Sequence, residues 1–409
     1  MNFFNIFKNK LLTDEKFFFL FIFILGILSR SITAYFFGDK VLENEWGVLV
    51  NNLYTHNSFS LLRFNDLFIP NLWMPPIYGY FVYLHSLIFG LNEYLVSSVI
   101  LSQILISSIT PLIFYKILSK FFRKNLTILG TLIFTLMPII VYSSCQISSI
   151  TIYLMLFILF LKLILDLDVN FKNSKLFYIG IIAAILILTR RDFILIYFFS
   201  LFYIFVYFKI NFKKILIILT ISLIGISPYL ARNYLAFDKL IIHSGFGYNV
   251  WKAYNPLAKV EGYYSESYEL QNELSKVKKN IYYRINEDKI YLSQAKQYIK
   301  ENPLKYFMLY LKRLFAFYFF DLDSSQKNYY NFFHIYPNLS LSIISIFGIL
   351  VCNKKNYKFN YLLSTMIILI FVYSSFAVLP RYKVYILPFQ IILCLSLINF
   401  LIQKLKIKN

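Results

Sequence analysis

Three carboxylates stand close together just after the first apolar stretch of the chain, residues 16–37. They are Asp39, Glu43 and Glu45. Acidic side chains this near a membrane surface are costly unless they are solvated, paired or functional. A carboxylate at the mouth of a membrane cavity is suited to removing a proton from an acceptor hydroxyl or amine. A solvated loop start is the alternative interpretation of these residues alone.

The composition indicates the surroundings of these carboxylates. Of 409 residues, 59% are hydrophobic, 20% are aromatic and only 15% are charged, and the mean hydropathy is +0.62. These values exclude a disordered chain, a coiled-coil rod and a disulfide-stapled secreted domain. They predict an all-α polytopic membrane protein.

The net charge of +21 raises the question of a nucleic-acid partner. The cations, however, lie in short clusters between apolar runs and form no continuous face of a folded domain. We therefore predict no nucleic-acid partner. The clusters are better explained by the rule that cytoplasmic loops of membrane proteins are rich in Lys and Arg.

The chain can be divided into apolar runs, because a bilayer-spanning helix needs roughly 20 mostly apolar residues. We expect a bundle of about 10–12 transmembrane helices on this criterion. The runs are residues 16–37, 94–116, 125–143, 148–166, 175–190, 193–208, 213–231, 338–352, 359–379 and 383–403.

Cation clusters decide which ends of these spans share a side. Lys8 and Lys10 precede the first span, and five later clusters fall on the same side, which the charge rule makes cytoplasmic. This agreement requires that two short apolar stretches, 75–89 and 304–320, be interfacial helices and not spans. The five clusters are Lys116, Lys120, Arg123 and Lys124; Lys172 and Lys175; Lys209, Lys213 and Lys214; Lys354, Lys355 and Lys358; and Lys404, Lys406 and Lys408.

Two long segments then lie on the non-cytoplasmic side. The first is the outer loop 38–94, and the second is 232–337, which we expect to form an outer cap with an interfacial helix. The predicted organisation is therefore an N-terminal transmembrane core, 1–231, the cap, 232–337, and C-terminal transmembrane helices, 338–409.

Several short motifs follow one another along the whole chain. With them the chain resembles the GT-C superfamily of polyprenyl-phosphate-sugar-dependent glycosyltransferases, in particular the bacterial relatives of protein O-mannosyltransferases and of the lipid A aminoarabinose transferase. The motifs are Glu43 and Glu45 with Trp46 and Asn52-Leu53; Pro75-Pro76-Ile77-Tyr78 with Phe89-Gly90; Thr189-Arg190-Arg191; Ala231-Arg232-Asn233-Tyr234; Ser244-Gly245-Phe246-Gly247-Tyr248-Asn249 leading to Asn255-Pro256; Glu301-Asn302-Pro303; and Arg381-Tyr382 with Pro388.

The resemblance implies a membrane-embedded transferase that inverts the anomeric carbon of a sugar delivered on a lipid phosphate. It also implies that the first outer loop carries the catalytic carboxylate, here Glu43 or Glu45. Relatives usually have Asp in this loop, so the identity of the base stays open between the two. Asp39, Trp46 and Tyr78 are candidates for substrate binding.

Arginines at the outer ends of distant spans are the candidates for binding the donor phosphate. Arg190 and Arg191 end the fifth span, Arg232 follows the seventh, and Arg381 precedes the last. Cations there stabilise the negative charge that develops as the glycosidic bond breaks. Guanidinium groups also bind phosphate in a bidentate way. The alternative for each arginine is that it extends to lipid headgroups.

Gly245, Tyr248 and Asn249 form a further candidate substrate-binding segment. Glycine lets the backbone approach a phosphate or sugar closely, and tyrosine rings can stack on sugar faces. A plain turn and the preference of Tyr for the membrane interface are the alternatives. The segment is no P-loop, because no Lys-Ser/Thr pair follows the glycines.

The expected chemistry needs neither a metal nor a nucleotide cofactor. The outer loop 143–149 contains no carboxylate. Hard divalent cations require several carboxylate oxygens, so we expect a metal-independent reaction. The resemblance implies that the lipid carries the activated sugar, which makes a nucleotide unnecessary.

The sequence therefore predicts a multi-pass glycosyltransferase of the bacterial cytoplasmic (inner) membrane, with its site facing the periplasm or exterior. Its expected partners are a polyprenyl-phosphate-linked sugar, membrane lipid, and an acceptor glycan, lipid or protein. Two other functions stay open. They are a lipid-linked-sugar transporter or flippase, and an outer-leaflet polysaccharide polymerase, in which the Glu43/Glu45 pair would be dispensable.

Overall fold

The structure is a computed structural model that describes residues 10, 12–167, 173–321, 324–326, 328–352 and 355–407. Lys8, Lys172, Lys354 and Lys408, which the topology prediction used, lie outside these residues. The described chain is mainly helical, with loops, a short 3-10 helix and a small antiparallel hairpin.

The first part of the chain contains helices and the hairpin. In chain order these are α1 (Glu15–Phe37), α2 (Glu45–His56), β1 (Ser60–Phe64), β2 (Leu67–Pro70), α3 (Pro76–Phe89), α4 (Glu93–Leu118), α5 (Lys124–Leu136), α6 (Pro138–Ser143), α7 (Ile150–Leu165), α8 (Ser174–Thr189) and α9 (Phe193–Val206).

The second part is helical throughout its described elements. These are α10 (Phe212–Phe237), α11 (Phe246–Tyr254), α12 (Tyr268–Ser275), α13 (Tyr283–Glu301), α14 (Pro303–Tyr318), α15 (Phe332–Val351), α16 (Tyr357–Ser374), the 3-10 helix Pro380–Tyr385 and α17 (Leu387–Ile407).

Each predicted span overlaps an apolar helix of the structure. Within the described residues, six helices are long and apolar enough to cross a membrane: α1, α4, α10, α15, α16 and α17. The shorter apolar helices α5, α7, α8 and α9 occupy the other predicted spans. The prediction of an all-α polytopic membrane protein is confirmed.

One predicted span, 125–143, is divided into two helices. α5 ends at Leu136 and α6 begins at Pro138. Proline lacks the N–H that a continuing helix needs, but its fixed φ suits the first turn of a new one. α6 then leads directly into the loop 143–149.

The short apolar helices α3 and α14 are 14 and 16 residues long. α14 is amphipathic, because Arg313 and Tyr306 are buried on one face while the opposite face is apolar and exposed. This pattern is typical of a helix that lies along a membrane surface. The exposed apolar residues are Leu304, Phe307, Met308, Leu311 and Phe315.

α1 connects two chemically different ends of the bundle. At its start, Glu15 forms an ion pair with Lys116 at the end of α4. Just beyond its other end, the backbone N–H of Asp39 donates to the carbonyl oxygen of Cys145 at 3.1 Å. The Lys-rich loops and the candidate carboxylates therefore lie at opposite ends of this helix, as the predicted topology requires.

The transmembrane core contains a buried cation that the sequence analysis did not single out. Arg30 of α1 is fully buried and donates to the Ser107 hydroxyl at 2.7 Å and the Thr135 carbonyl oxygen at 3.1 Å. It thereby joins α1 to α4 and α5. Elsewhere α10 packs on α8, and α17 packs on α15.

The predicted outer segment 232–337 does not begin at residue 232 as a separate part of the structure. α10 continues without a break through Arg232 and ends at Phe237. The cap then comprises α11, α12, α13 and α14.

Candidate active site

Loops from four parts of the chain enclose a cavity of about 330 Å³ at the end of α1. We call it the Asp39 cavity, because Asp39 is the only carboxylate among its lining residues in the described chain. Arg381 is the one guanidinium among these described lining residues. The other lining residues are Asn44, Tyr142, Gln146, Ile147, Ser148, Ser325, Gln326, Asn328 and Tyr329.

Asp39 is half-buried and fixed by the backbone of the loop 143–149. Its Oδ2 oxygen accepts the N–H of Ile147 at 2.7 Å. Burial raises the pKa of Asp39 above its usual value, and the Ile147 hydrogen bond only partly offsets this rise. In the described chain the Oδ1 oxygen has no hydrogen-bond partner, so one oxygen is held while the other is available to the cavity.

Asn44 holds the same loop from a second position. Its side-chain N–H donates to the carbonyl oxygen of Ile147 at 3.3 Å, while its Oδ1 accepts the N–H of Trp46 and caps α2. Asp39 and Asn44 therefore bind the two backbone groups of one residue, and the first outer loop is tied to the loop 143–149.

The cationic side of the cavity is built by Arg381 and two tyrosines. Arg381 is exposed to the cavity and carries a permanent positive charge. The rings of Tyr142 and Tyr329 meet edge to face with centroids 4.9 Å apart. Burial raises the pKa of Tyr329, so its hydroxyl stays protonated and able to donate.

A buried carboxylate outside the predicted set shapes the remaining wall. Glu261 accepts hydrogen bonds from the hydroxyl of Ser324 and from the N–H and hydroxyl of Ser325, the last two at 3.1 and 2.6 Å. Ser325 lines the Asp39 cavity. Nothing in the local sequence distinguishes Glu261 from a solvated loop residue, because its partners lie more than 60 positions later in the chain.

Three of the four predicted arginines gather around Tyr382. The guanidinium carbon of Arg190 is 5.1 Å from the Tyr382 ring centroid, and that of Arg381 is 5.8 Å away. Arg191 lies close enough to interact electrostatically with the same tyrosine. Despite burial, which acts in the opposite direction, Arg381 and Arg190 lower the pKa of Tyr382.

Arg190 has its own protein partners. Its Nε donates to Asp192 at 3.2 Å, and its Nη1 donates to the hydroxyl of Tyr385 at 2.9 Å. Tyr373 donates its hydroxyl to the other oxygen of Asp192. Arg190 thus belongs to a buried network that reaches Tyr385, in the same 3-10 helix as Arg381.

Arg191 fixes the turn that contains Gly245. It donates to Nδ1 of His243 at 2.9 Å and to the carbonyl oxygen of Gly245 at 3.3 Å. Burial and the adjacent guanidinium lower the pKa of His243, so its Nδ1 is an acceptor. Gly245 has φ +95°, and a Cβ there would lie 2.9 Å from the ring of Trp73. Both facts explain the requirement for glycine.

Arg232 lies apart from this group. It donates to the carbonyl oxygens of Asn71 and Phe59 at 2.9 and 3.2 Å and to the side-chain oxygen of Asn233 at 2.7 Å. These contacts anchor the segments on both sides of the hairpin to α10. The geometry favours a structural role for Arg232 over the predicted phosphate-binding role.

Glu43 and Glu45 line a second cavity of about 640 Å³, which we call the acidic cavity. Asn44, between them, lines both cavities. The two predicted bases therefore lie next to the Asp39 cavity and not on its wall. The acidic cavity is lined by Glu43, Asn44, Glu45, Val48, Leu61, Trp73, Tyr248, Glu266, Arg284, Glu287 and Tyr291.

The remaining predicted substrate-binding residues divide between a wall and the core. Tyr248 lines the acidic cavity, whereas Asn249 donates back to the carbonyl oxygen of Gly245 at 2.6 Å within its own helix. Trp46 and Tyr78 are buried with ring centroids 4.8 Å apart, and Tyr78 donates to Gln103. Direct substrate contact by Trp46 and Tyr78 stays a prediction, and the structure gives them a packing role.

The described carboxylates are too dispersed to bind a metal ion as a group. In the part of the chain that the structure describes, no three His, Cys, Asp or Glu side chains lie close enough together to hold one. The Asp39 cavity presents a carboxylate of raised pKa and a guanidinium on its wall.

Known proteins share both sequence and fold features with the chain. Residues 74–231 match the family described as dolichyl-phosphate-mannose-protein mannosyltransferase. The archaeal oligosaccharyltransferase AglB from Archaeoglobus fulgidus, solved with an inhibitory peptide and a dolichol-phosphate, is 13% identical and has a TM-score of 0.56. The match covers 96% of this chain and 51% of that one.

The chain has the GT-C fold. The predicted resemblance is thereby confirmed, in sequence over residues 74–231 and in fold over nearly the whole chain. The matched family and AglB are glycosyltransferases by description, so glycosyl transfer is the activity of the proteins that this chain resembles. The chain spans about half the length of AglB.

A second solved GT-C protein and the curated proteins complete the comparison. ArnT from Cupriavidus metallidurans, bound to undecaprenyl phosphate, is 10% identical over 91% of this chain and 77% of its own, with a TM-score of 0.42. No curated protein matches the chain significantly in sequence.

Proposed function

We propose that the protein transfers a sugar from a polyprenyl-phosphate donor to an acceptor at the non-cytoplasmic membrane face. The observation that carries this proposal is that Asp39 and Arg381 line the same cavity. One group can remove a proton and the other can bind a phosphate, and both are needed for displacement at an anomeric carbon.

In the proposed step, the acceptor O–H or N–H gives its proton to Asp39 as the acceptor atom bonds to the anomeric carbon. The bond from that carbon to the phosphate oxygen breaks, and its electron pair stays on the phosphate. Attack opposite the departing phosphate inverts the anomeric configuration. Arg381 stabilises the charge that develops on the phosphate, which lowers the barrier because the interaction strengthens in the transition state.

Asp39 is favoured over Glu43 and Glu45 as the base. It shares the cavity with Arg381, and burial raises its pKa, as suits a base that must accept a proton. Glu43 and Glu45 line the acidic cavity beside it. Catalysis by either glutamate stays a prediction.

The proposed sidedness follows from the charge rule. The Lys-rich loops at the start of α1 are assigned to the cytoplasm. Asp39 follows the other end of the same helix, which is long and apolar enough to cross the membrane. Because the sequence motifs resemble those of bacterial GT-C proteins, the proposed location is the bacterial inner membrane, with the Asp39 cavity open to the exterior leaflet.

The test is a transfer assay with purified protein in lipid vesicles and a panel of undecaprenyl-phosphate sugars. We expect release of undecaprenyl phosphate together with a glycosylated acceptor of inverted configuration. Passage of the lipid-linked sugar across the vesicle membrane without release of phosphate would instead support the flippase. Products that contain repeated sugar units would support the polymerase.

A further inference from the structure

The acidic cavity has an unusual charge for this protein. The chain as a whole carries a net charge of +21, yet the cavity wall has four carboxylates and one guanidinium. A donor phosphate would be repelled from such a cavity and attracted to Arg381 next to it. The two neighbouring cavities therefore favour ligands of opposite charge.

Glu287 is the most enclosed of these carboxylates. Its residue exposure is 8%, and it lies on the cavity wall. Its Oε2 oxygen accepts from Arg284 at 2.7 Å, and Oε1 has no hydrogen-bond partner in the described chain. Burial and the nearby Glu266 raise the pKa of Glu287 despite the adjacent arginine. Independently of this shift, four carboxylates line the acidic cavity and Arg284 is the one guanidinium among the described lining residues, so Arg284 can neutralise only part of their charge.

Glu45, unlike Glu287, has no protein partner among the described residues. It stands in the first turn of α2, is exposed, and forms no hydrogen bond or ion pair within the described residues. Glu266 differs, because it accepts the hydroxyl proton of Tyr291. The Glu45 carboxylate on α2 and the Oε1 oxygen of Glu287 on α13 are therefore available to a cation that enters the acidic cavity.

The aromatic side of the acidic cavity already contacts one cationic side chain, the guanidinium of Arg284. The guanidinium carbon of Arg284 lies 5.0 Å from the ring centroid of Trp73, and Tyr248 meets Trp73 edge to face at 4.9 Å. Aromatic faces attract organic cations. The carboxylates do not group closely enough to bind a metal ion in the described chain, so dispersed charges of this kind suit a larger organic cation.

From this geometry we infer that the acidic cavity binds a positively charged ammonium group of the acceptor, which places the acceptor nucleophile beside Asp39. The identification of the ligand as the acceptor rests on the proposed function, whereas the cation site itself does not. A volume of about 640 Å³ accommodates a molecule of the size of a sugar or short peptide. Asn44 lines both cavities and is the point where donor and acceptor would meet.

The test compares two probes that differ in charge. Binding of glucosamine and of N-acetylglucosamine to the full-length protein in uncharged detergent would be measured by NMR saturation transfer at pH 6.5. We expect glucosamine to bind roughly tenfold more tightly, which is about 1.4 kcal/mol, because only its ammonium group carries a charge that the carboxylates attract. Equal dissociation constants for the two sugars would overturn the inference.

Single variants test which carboxylates cause the preference for glucosamine over N-acetylglucosamine. Glu287→Gln and Glu45→Gln should each reduce the tenfold ratio to about threefold or less, whereas Glu269→Gln should preserve it, because Glu269 is exposed on α12 and outside the cavity. Glu45→Gln decides the matter if Glu287→Gln disturbs the fold through Arg284. A ratio unchanged in Glu45→Gln would contradict the inference.

Failure of this inference is distinguishable from failure of the proposed function. Sugar transfer with no preference for the charged probe would reject the ammonium site and leave the transferase intact. A charged-probe preference that depends on Glu45, in a protein without transfer activity, would support the cation site and reject the transferase.

Discussion

Oδ2 of Asp39 accepts a hydrogen bond of 2.7 Å from the backbone N–H of Ile147, although 108 positions separate the two residues. This bond fixes one carboxylate oxygen and leaves the other available to the cavity that Arg381 also lines. A base that is held in this way keeps its orientation toward an acceptor, which reduces the entropy lost in reaching the transition state.

Arg381 is expected to bind the donor phosphate. Arg381→Gln should weaken binding of undecaprenyl phosphate to the protein in nanodiscs by about 10- to 100-fold, because a charge-assisted hydrogen bond is lost. Arg63→Gln is the matched control, since Arg63 pairs with Asp66 at the exposed hairpin. Equal dissociation constants for wild type and Arg381→Gln would remove Arg381 from the phosphate site.

The decrease of kcat/KM at low pH should report the protonation of Asp39. Burial raises its pKa, and the base acts in its ionised form, so kcat/KM should fall as the pH drops through a midpoint above the usual aspartate value of about 3.9. The residual activity of Asp39→Asn should lack this limb. If that variant retains the same limb, another group titrates there.

The Arg190–Asp192 pair should stabilise the fold as a unit. Arg190→Met leaves the Asp192 carboxylate half-buried without its cation, and we expect a loss of about 3 kcal/mol or more in the free energy of unfolding. Asp192→Leu in the same protein should restore much of this stability. Additive losses in the double variant, measured by denaturant unfolding in detergent, would show that the two residues are not coupled.

Arg313 should hold the end of α11 and the segment that follows it against α14. Its guanidinium is fully buried and donates to the carbonyl oxygens of Ala253, Lys259 and Val260 at 2.5, 2.8 and 3.2 Å. Arg313→Met should remove these three hydrogen bonds and increase amide hydrogen exchange in residues 253–262 by roughly tenfold or more. Lys312→Met, on the exposed face of α14, is the control. Unchanged exchange in both variants would refute the anchoring role.

The transmembrane fold was predictable because its signals are local. Each apolar run is a contiguous segment, and each cation cluster marks the end of one. The break at Pro138 was less evident, because the run 125–143 is apolar throughout and only the proline marks the two helices.

The sequence predicted which residue types form the site better than it predicted which of them lie together. Sequence order places Asp39, Glu43 and Glu45 in one loop, but which carboxylate meets Arg381 depends on contacts with the distant loop 143–149. The hydrogen bonds of Glu261 with Ser325 and of the buried Arg30 with Ser107 also join residues that are far apart in the chain. Arg232 has the same sequence signal as Arg190, and only its carbonyl partners separate the two.

The most direct test is the rate of sugar transfer by Asp39→Asn beside Glu43→Gln, Glu45→Gln and the exposed control Asp66→Asn, each confirmed as folded. Loss of a general base typically costs about 10²- to 10⁴-fold. We expect a loss of that size for Asp39→Asn at saturating acceptor, a raised acceptor KM with a nearly normal kcat for Glu45→Gln, and no change for Asp66→Asn. Near-normal kcat in Asp39→Asn, together with a collapse in Glu43→Gln or Glu45→Gln, would contradict the assignment of Asp39 as the base.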